Sequence, residues 1–183
     1  MQQLSSVDEV FSLLESGGGT AYFGEPVSVL EHSLQAACFI QRDGGANTLI
    51  AAALLHDVGH LLHNEGEDAA VHGFDTQHEE LAFAVLADHL PVSVLDPIRL
   101  HVAAKRCLCF AEPGYMSALS PASQQSLALQ GGMMTAAEAA AFLALTHARE
   151  ALALRRADDA AKVRGLAVPQ LDAYRTLIAS LWI

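Results

Sequence analysis

The sequence predicts a single all-α domain over residues 1–183, on three observations. The apolar fraction is 52% and Ala-rich, aromatic residues are 6% and β-branched residues are sparse, a bias that favours helix over sheet. Apolar residues recur at helical spacing in segment after segment, and no stretch reads convincingly as a strand. Caps and Gly or Pro breaks separate these segments, with no repeat and no low-complexity linker. At 183 residues the chain can build one substantial core.

Taken in order, Ser6-Val7-Asp8-Glu9 reads as a capping box before Val10, Phe11, Leu13 and Leu14, and Gly17-Gly18-Gly19 ends that helix. Tyr22-Phe23-Gly24-Glu25 is a short loop, and Pro26 suits the first turn of the next helix, which carries Val27, Leu30, His32, Leu34, Cys38 and Ile40. After Asp43-Gly44-Gly45, Asn47 is placed to cap a helix from Thr48 to Gly59. The polar segment from His63 to Asp75 reads as a loop. Thr76-Gln77-His78-Glu79 is a second capping box, with His78 in the first turn of a helix that runs towards Leu90-Pro91. Asp96-Pro97 opens a helix carrying Ile98, His101, Val102, Lys105 and Leu108. Ser120-Pro121 starts a short helix through Gln130, stopped by Gly131-Gly132. Thr135-Ala136-Ala137-Glu138 is a third capping box, beginning a long helix that reaches Asp158, and Val168-Pro169 precedes a last helix ending in Leu181-Trp182-Ile183.

Charge and cysteine usage narrow the function. A net charge of −11 leaves no basic stripe for nucleic acid, and an anionic substrate would need a local basic pocket. The lysines are Lys105 and Lys162. Cys38, Cys107 and Cys109 lie in apolar helical stretches and form no disulfide framework, as expected of reduced thiols in a cytoplasmic protein. The polar start, Met1 to Ser6, shows no signal peptide, and no uncharged run is long enough to span a bilayer. Nothing in the sequence sets the oligomeric state.

The chemistry centres on Ala51-Ala52-Ala53-Leu54-Leu55-His56-Asp57-Val58-Gly59-His60. Adjacent helical residues point about 100° apart, so His56 and Asp57 can share a centre only over a helix end. A carboxylate can bridge two metals whereas an imidazole nitrogen ligates one, so the pair suits a dinuclear site. His60 follows four residues after His56, on the same face, as a ligand, a proton carrier or a phosphate contact. His32, His78, His101 and Asp158 supply further donors from other helices. A single buried histidine is ordinarily a satisfied core residue, but a series of such donors on successive helices points to metal. The donor set suits Fe, Mn, Zn or Ni more than Ca or Mg. Lys105, one turn after His101, places a cation beside this centre. Arg155 shares a face with Asp158, although its neighbour Arg156 keeps a surface arginine as the competing reading, and Ser123 reads equally as a helix-surface hydroxyl. His63, His72, His89 and His147 read as solvated or incidental.

These residues resemble the HD-domain superfamily of metal-dependent phosphohydrolases, folded as a helical bundle. Tyr22-Phe23-Gly24-Glu25, Leu30-Glu31-His32, His56-Asp57-Val58-Gly59-His60, Gln77-His78-Glu79, His101-Val102-Ala103-Ala104-Lys105-Arg106 and Gln130-Gly131-Gly132 are closer to its small oxygenase branch. That branch includes glycine-forming 2-amino-1-hydroxyethylphosphonate dioxygenase and, more distantly, myo-inositol oxygenase. The resemblance implies two iron ions, Fe(II)/Fe(III), one on His32, His56, Asp57 and Asp158, the other on Asp57, His78 and His101. It implies a substrate-binding set of Tyr22, Glu25, His60, Lys105, Ser123 and Arg155, with Asp57, His60 and Lys105 as catalytic residues. Tyr22 and Glu25 match a loop that covers the vacant iron position, and Glu25 could also pair with a substrate ammonium. The implied reaction is O₂-dependent cleavage of the carbon–phosphorus bond of a 1-hydroxy-2-aminoethylphosphonate or its N-trimethyl analogue. Cys107, Met133 and Ala157 depart from the branch around the pocket. The alternatives are an HD-type hydrolase of a phosphate ester and a non-catalytic helical module.

Overall fold

The structure is a computed structural model that describes residues 4–22, 24–62 and 73–183. Its α-helices are α1 (Val7–Gly17), α2 (Val29–Arg42), α3 (Asn47–Leu55), α4 (His78–Leu86), α5 (Val92–Ala111), α6 (Tyr115–Ala118), α7 (Pro121–Leu129), α8 (Ala136–Leu143), α9 (Ala148–Ala160) and α10 (Arg175–Leu181). Among the described residues there is no strand, and one antiparallel bridge joins Ala21 to Ser28. The all-α expectation holds. No helix among the described residues is long and apolar enough to cross a membrane.

The long helix α5 lies along α9, and α2 packs on both α3 and α9. Ala51, Ala52 and Ala53 are completely buried at the centre, where small side chains let neighbouring helices approach. Leu54, Leu55, Ile98 and Leu154 fill the space around them. Each such side chain contributes about 1.5–3 kcal/mol through burial. This apolar frame holds the ends of α3 and α4 against the middle of α5 and the last turns of α9.

Several boundaries differ from the sequence expectation, each for a local reason. Ser6 caps α1 by accepting from Glu9 N at 3.3 Å, but the Glu9 carboxylate turns to Ser5 N at 2.7 Å, so half the box forms. α2 starts at Val29 rather than at Pro26. Ser28 and Glu31 make a full capping box there, and the backbone pairing of Tyr22 N with Val27 O and Val29 N with Thr20 O keeps Pro26 in the loop. Asn47 is the first residue of α3 and Ala46 its cap. That helix stops at Leu55, and the chain continues as a 3-10 turn at Val58–Leu61 instead of running to Gly59. Gln77 precedes α4 in the left-handed region at φ 47°, so the box expected from Thr76 is absent. α5 begins five residues before Pro97, which lies inside it without an N–H to donate. The long C-terminal helix is split into α8 and α9. At the break His147 Nδ1 binds Asp96 Oδ2 at 2.8 Å, a tertiary contact that overrides the helical propensity of the alanines. The short helix α6 had no sequence signal beyond Gly114, whose φ is 86°.

Candidate metal centre

Asp57 leaves the end of α3 immediately after His56 and is almost completely buried. Its two oxygens face two different pairs of imidazoles. Oδ2 lies 3.5 Å from His32 Nε2 and 3.4 Å from His56 Nε2. Oδ1 lies 3.5 Å from His78 Nε2 and 3.8 Å from His101 Nε2. The potential ligand atoms of His32, His56 and Asp57 all fall within 4.8 Å of one another, as do those of Asp57, His78 and His101. α2 delivers His32 from its first turn, α4 delivers His78 as its first residue, and α5 delivers His101 from mid-helix. Asp158 of α9 joins the first group, its Oδ1 standing 3.4 Å from His32 Nε2.

The hydrogen bonds around these rings fix what they present. His32 Nδ1 donates to the Ala161 carbonyl and His56 Nδ1 to the Ala53 carbonyl, each at 2.9 Å, and His101 Nδ1 donates to the Ile98 carbonyl at 2.7 Å. A ring whose Nδ1 carries the proton has a lone pair at Nε2. The Nε2 atoms of His32 and His56 nevertheless face each other at 3.2 Å, and those of His78 and His101 at 3.0 Å. For His32 and His56, whose Nδ1 atoms both face carbonyls, two lone pairs at that separation repel unless a proton or a cation lies between them. Asp158 Oδ1 is buried without a hydrogen-bond partner, another acceptor suited to a cation. Burial, reinforced by His56, lowers the His101 pKa to about 3, and burial together with His60 holds that of His78 well below its usual value. Both rings are therefore neutral, the form that ligates a metal. These residues fit two adjacent metal ions bridged by Asp57.

The other expected residues surround this centre. His60, on the 3-10 turn, stacks on the His78 ring at 3.9 Å and stands 3.9 Å from Asp57 Oδ1, outside both donor groups. The Tyr22 hydroxyl donates to Asp57 Oδ2 at 2.7 Å, and its ring stacks on His32 at 4.1 Å. Burial and the neighbouring Asp57 and Asp158 raise its pKa well above the usual value, so it remains a phenol. Glu25 stands at the cavity wall, with its backbone N donating to the Tyr22 carbonyl at 2.7 Å. Phe23, His63 and His72 lie outside the described residues. His89 stacks on Trp182, away from the centre.

A cavity of about 330 Å³ opens over the Asp57 side of the cluster, lined by Tyr22, Glu25, His60, Lys105, Ser123, Arg155 and Asp158 among others. Its far wall is cationic. Lys105 is 2% exposed and donates to Ser126 Oγ at 2.8 Å; burial, then the nearby Arg155, lowers its pKa to about 7. Arg155 is buried, pairs with Asp158 Oδ2 at 2.7 Å and with Asp159, and reaches Ser123 Oγ at 3.5 Å. The surface arginine is Arg156, paired with Glu112. Ser123, which begins as a plain helix-surface hydroxyl in sequence, faces this wall from α7.

Sequence reasoning did not find Lys162. Its Nζ donates to Ser120 Oγ at 3.2 Å and Ser123 Oγ at 3.1 Å, and lies 3.3 Å from Glu25 Oε1. Lys162 follows Asp158 by four residues but lies past the end of α9, so helical spacing gave no signal for it. Ser126 was also missed, because only the packing of α7 on α5 brings it to Lys105.

The helical frame and the His/Asp cluster around Asp57, whose donors suit a metal, define a protein of HD type, and the family comparison agrees. The chain belongs to the HD domain family, whose model matches residues 29–159. It is 44% identical over 176 residues to hydroxymethylphosphonate dioxygenase of Gimesia maris, which covers 95% of this chain and 87% of that protein. It is 38% identical over 163 residues to the glycine-betaine-forming [1-hydroxy-2-(trimethylamino)ethyl]phosphonate dioxygenase of Leisingera caerulea, covering 89% of this chain and 83% of that one.

Proposed function

We propose that this protein is an O₂-dependent oxygenase that cleaves the carbon–phosphorus bond of a 1-hydroxyalkylphosphonate. The observation that carries this reading is the division of Asp57, each oxygen facing its own imidazole pair. His32, His56, Asp57 and Asp158 would hold one iron ion, and Asp57, His78 and His101 the other, within one domain over residues 1–183. When bound, an Fe(II)/Fe(III) pair supplies O₂ activation and a Lewis-acidic seat for the substrate hydroxyl. The relatives act on hydroxyalkylphosphonates by their names, and the cationic wall in this chain suits the same headgroup. The overall reaction balances without an external reductant: a 1-hydroxyalkylphosphonate and O₂ give the corresponding carboxylic acid and phosphate.

The chain's own groups divide the work. Lys105, with Arg155 and Ser123 beside it, receives the phosphonate and so orients the C1 hydrogen towards the metal pair. Charge-assisted bonds to phosphonate oxygens in a partly dry pocket are stronger than neutral ones. Tyr22 donates to the bridging carboxylate and covers that side of the centre, while His60 stands against His78 at the cavity edge, within reach of a proton on the substrate hydroxyl. The three free buried cysteines suit a reducing compartment, and the cytoplasm is the proposed location.

The test is aerobic incubation of anaerobically iron-loaded protein with hydroxymethylphosphonate, (R)-2-amino-1-hydroxyethylphosphonate and its N-trimethyl form, following phosphate and O₂ together. Equal consumption of O₂ and release of phosphate from at least one of them is the expected result. Release of phosphate from phosphate esters without O₂ uptake would instead establish the hydrolase.

A further inference from the structure

Glu25 and Lys162 form a partly desolvated ion pair on the cavity wall. Each side chain is 12% exposed, and Lys162 Nζ is 3.3 Å from Glu25 Oε1. Lys162 is held there from a second side by the hydroxyls of Ser120 and Ser123. The remaining carboxylates that line the cavity have other surroundings: Asp57 and Asp158 face the imidazole cluster, and Asp75 is exposed to solvent. Among the described residues, Glu25 is therefore the buried acid best placed to receive a cationic substituent on the substrate, and Lys162 already neutralises it. A quaternary ammonium would need open aromatic faces. Of the aromatic rings lining the cavity, Tyr22 has one face covered by His32, and Phe74 is largely exposed.

We propose that Lys162 is a specificity-determining residue: by occupying Glu25 it makes the site select a hydroxyalkylphosphonate with no ammonium group. The proposal rests on the phosphonate reading above and names the substrate class within it. Its physical basis is the cost of adding a third charge. An ammonium brought to Glu25 must either displace Lys162, breaking a partly buried pair, or sit beside it as a like charge. A neutral substituent meets neither penalty.

The opposite arrangement is also chemically coherent, with a zwitterionic substrate splitting the pair so that its phosphonate takes Lys162 and its ammonium takes Glu25. The two predict opposite signs. The experiment compares kcat/KM for hydroxymethylphosphonate, (R)-2-amino-1-hydroxyethylphosphonate and the N-trimethyl form in the parent, Lys162→Met, and Lys162→Met combined with Glu25→Gln. The parent should favour hydroxymethylphosphonate by about tenfold or more, the scale of one lost charge pairing. Lys162→Met should move the ratio towards the cationic substrates by about tenfold, and adding Glu25→Gln should reverse that shift. Using ratios cancels any loss of phosphonate affinity common to all three. A parent that prefers the cationic substrates, or a Lys162→Met ratio that is unchanged or shifted the other way, overturns the proposal. If Lys162→Met does not fold, as judged by circular dichroism, Lys162→Gln serves the same comparison. If no phosphonate is turned over, the functional reading fails. Anaerobic calorimetry of the same three compounds on metal-loaded protein still decides the selectivity, since equal binding or no binding of all three overturns it.

Discussion

At Asp57, replacing one carboxylate oxygen by an amide nitrogen tests the bridge directly. Asn offers one oxygen ligand, and its NH₂ group cannot take the second ion. Asp57→Asn should therefore reduce metal content from about two ions per chain to one or fewer, read by elemental analysis after anaerobic loading. Two tightly held ions in this variant would show that Asp57 does not join them. Lys105 makes a different prediction, because its side chain is buried and its pKa is lowered to about 7 from an ordinary 10.5. Between those values the unfolded chain binds more protons than the folded one, so this residue's contribution to stability improves as pH rises. Below about 7 the burial cost of the charged amine is present in full. Lys105→Met should then raise the melting temperature of the chelated protein near neutral pH, flatten its rise from pH 7 upward, and weaken phosphonate binding about tenfold or more. Parallel pH–melting curves for parent and variant would contradict the assignment. The candidate metal donors His32, His56, Asp57 and His101 stood out in sequence because each interrupts an apolar helical run with a group that burial penalises. Lys162 did not, because it lies beyond the end of α9 and its role depends on Glu25, 137 residues earlier in the chain.

The element that sets the geometry between the two imidazole pairs is the 3-10 turn after Asp57. Gly59 on that turn lies against the first residue of α4, and a Cβ added to it would come within 2.0 Å of the His78 carbonyl oxygen. Backbone atoms must move to relieve such a contact, and α4 would carry His78 away from Asp57. Gly59→Ala should cost about 1–3 kcal/mol by overpacking, equivalent to a fall of very roughly 2–12 °C in melting temperature for a chain of this size. It should also weaken metal binding on the His78/His101 side while leaving the His32/His56 side occupied. Thermal melts and metal titration check the two effects separately, and a variant with parental melting and two ions would refute the packing argument. The glycine of the HDxGH run is thus a spacing residue for two elements. Its place in the motif was visible in sequence, but its function required the position of α4. Helix existence was legible from periodicity, whereas helix ends were decided by contacts that periodicity does not encode. The Ser28–Glu31 box displaced the start expected at Pro26, and the His147–Asp96 bond divided a run of alanines that propensity alone would leave continuous.

Across the whole molecule, the donors come from α2, the end of α3, α4, α5 and α9, elements far apart in sequence but packed on one core. Without a cation, the arrangement holds unfavourable contacts: the rings of His32 and His56, each with Nδ1 on a carbonyl, face each other through Nε2 atoms at 3.2 Å, and Asp158 Oδ1 is buried without a hydrogen bond. Metal ions held as proposed would convert those repulsions into bonds that join all five elements and so link metal affinity to folding stability. An ion present at a thousand times its Kd stabilises the native state by about 4.1 kcal/mol, which for a chain of this length is about 8–16 °C in melting temperature. Chelation should accordingly lower the melting temperature by about that amount per ion lost, with far-ultraviolet circular dichroism at 20 °C nearly unchanged because the apolar core around Leu54, Ile98 and Leu154 remains. The measurement is differential scanning calorimetry of loaded and chelated protein, repeated on Asp57→Asn. There the shift should shrink, since that variant starts with fewer ions to lose. Equal melting of loaded and chelated parent, with loading confirmed by elemental analysis, would mean that the ions are held by a site the core has already paid to organise, and that the five elements do not depend on them.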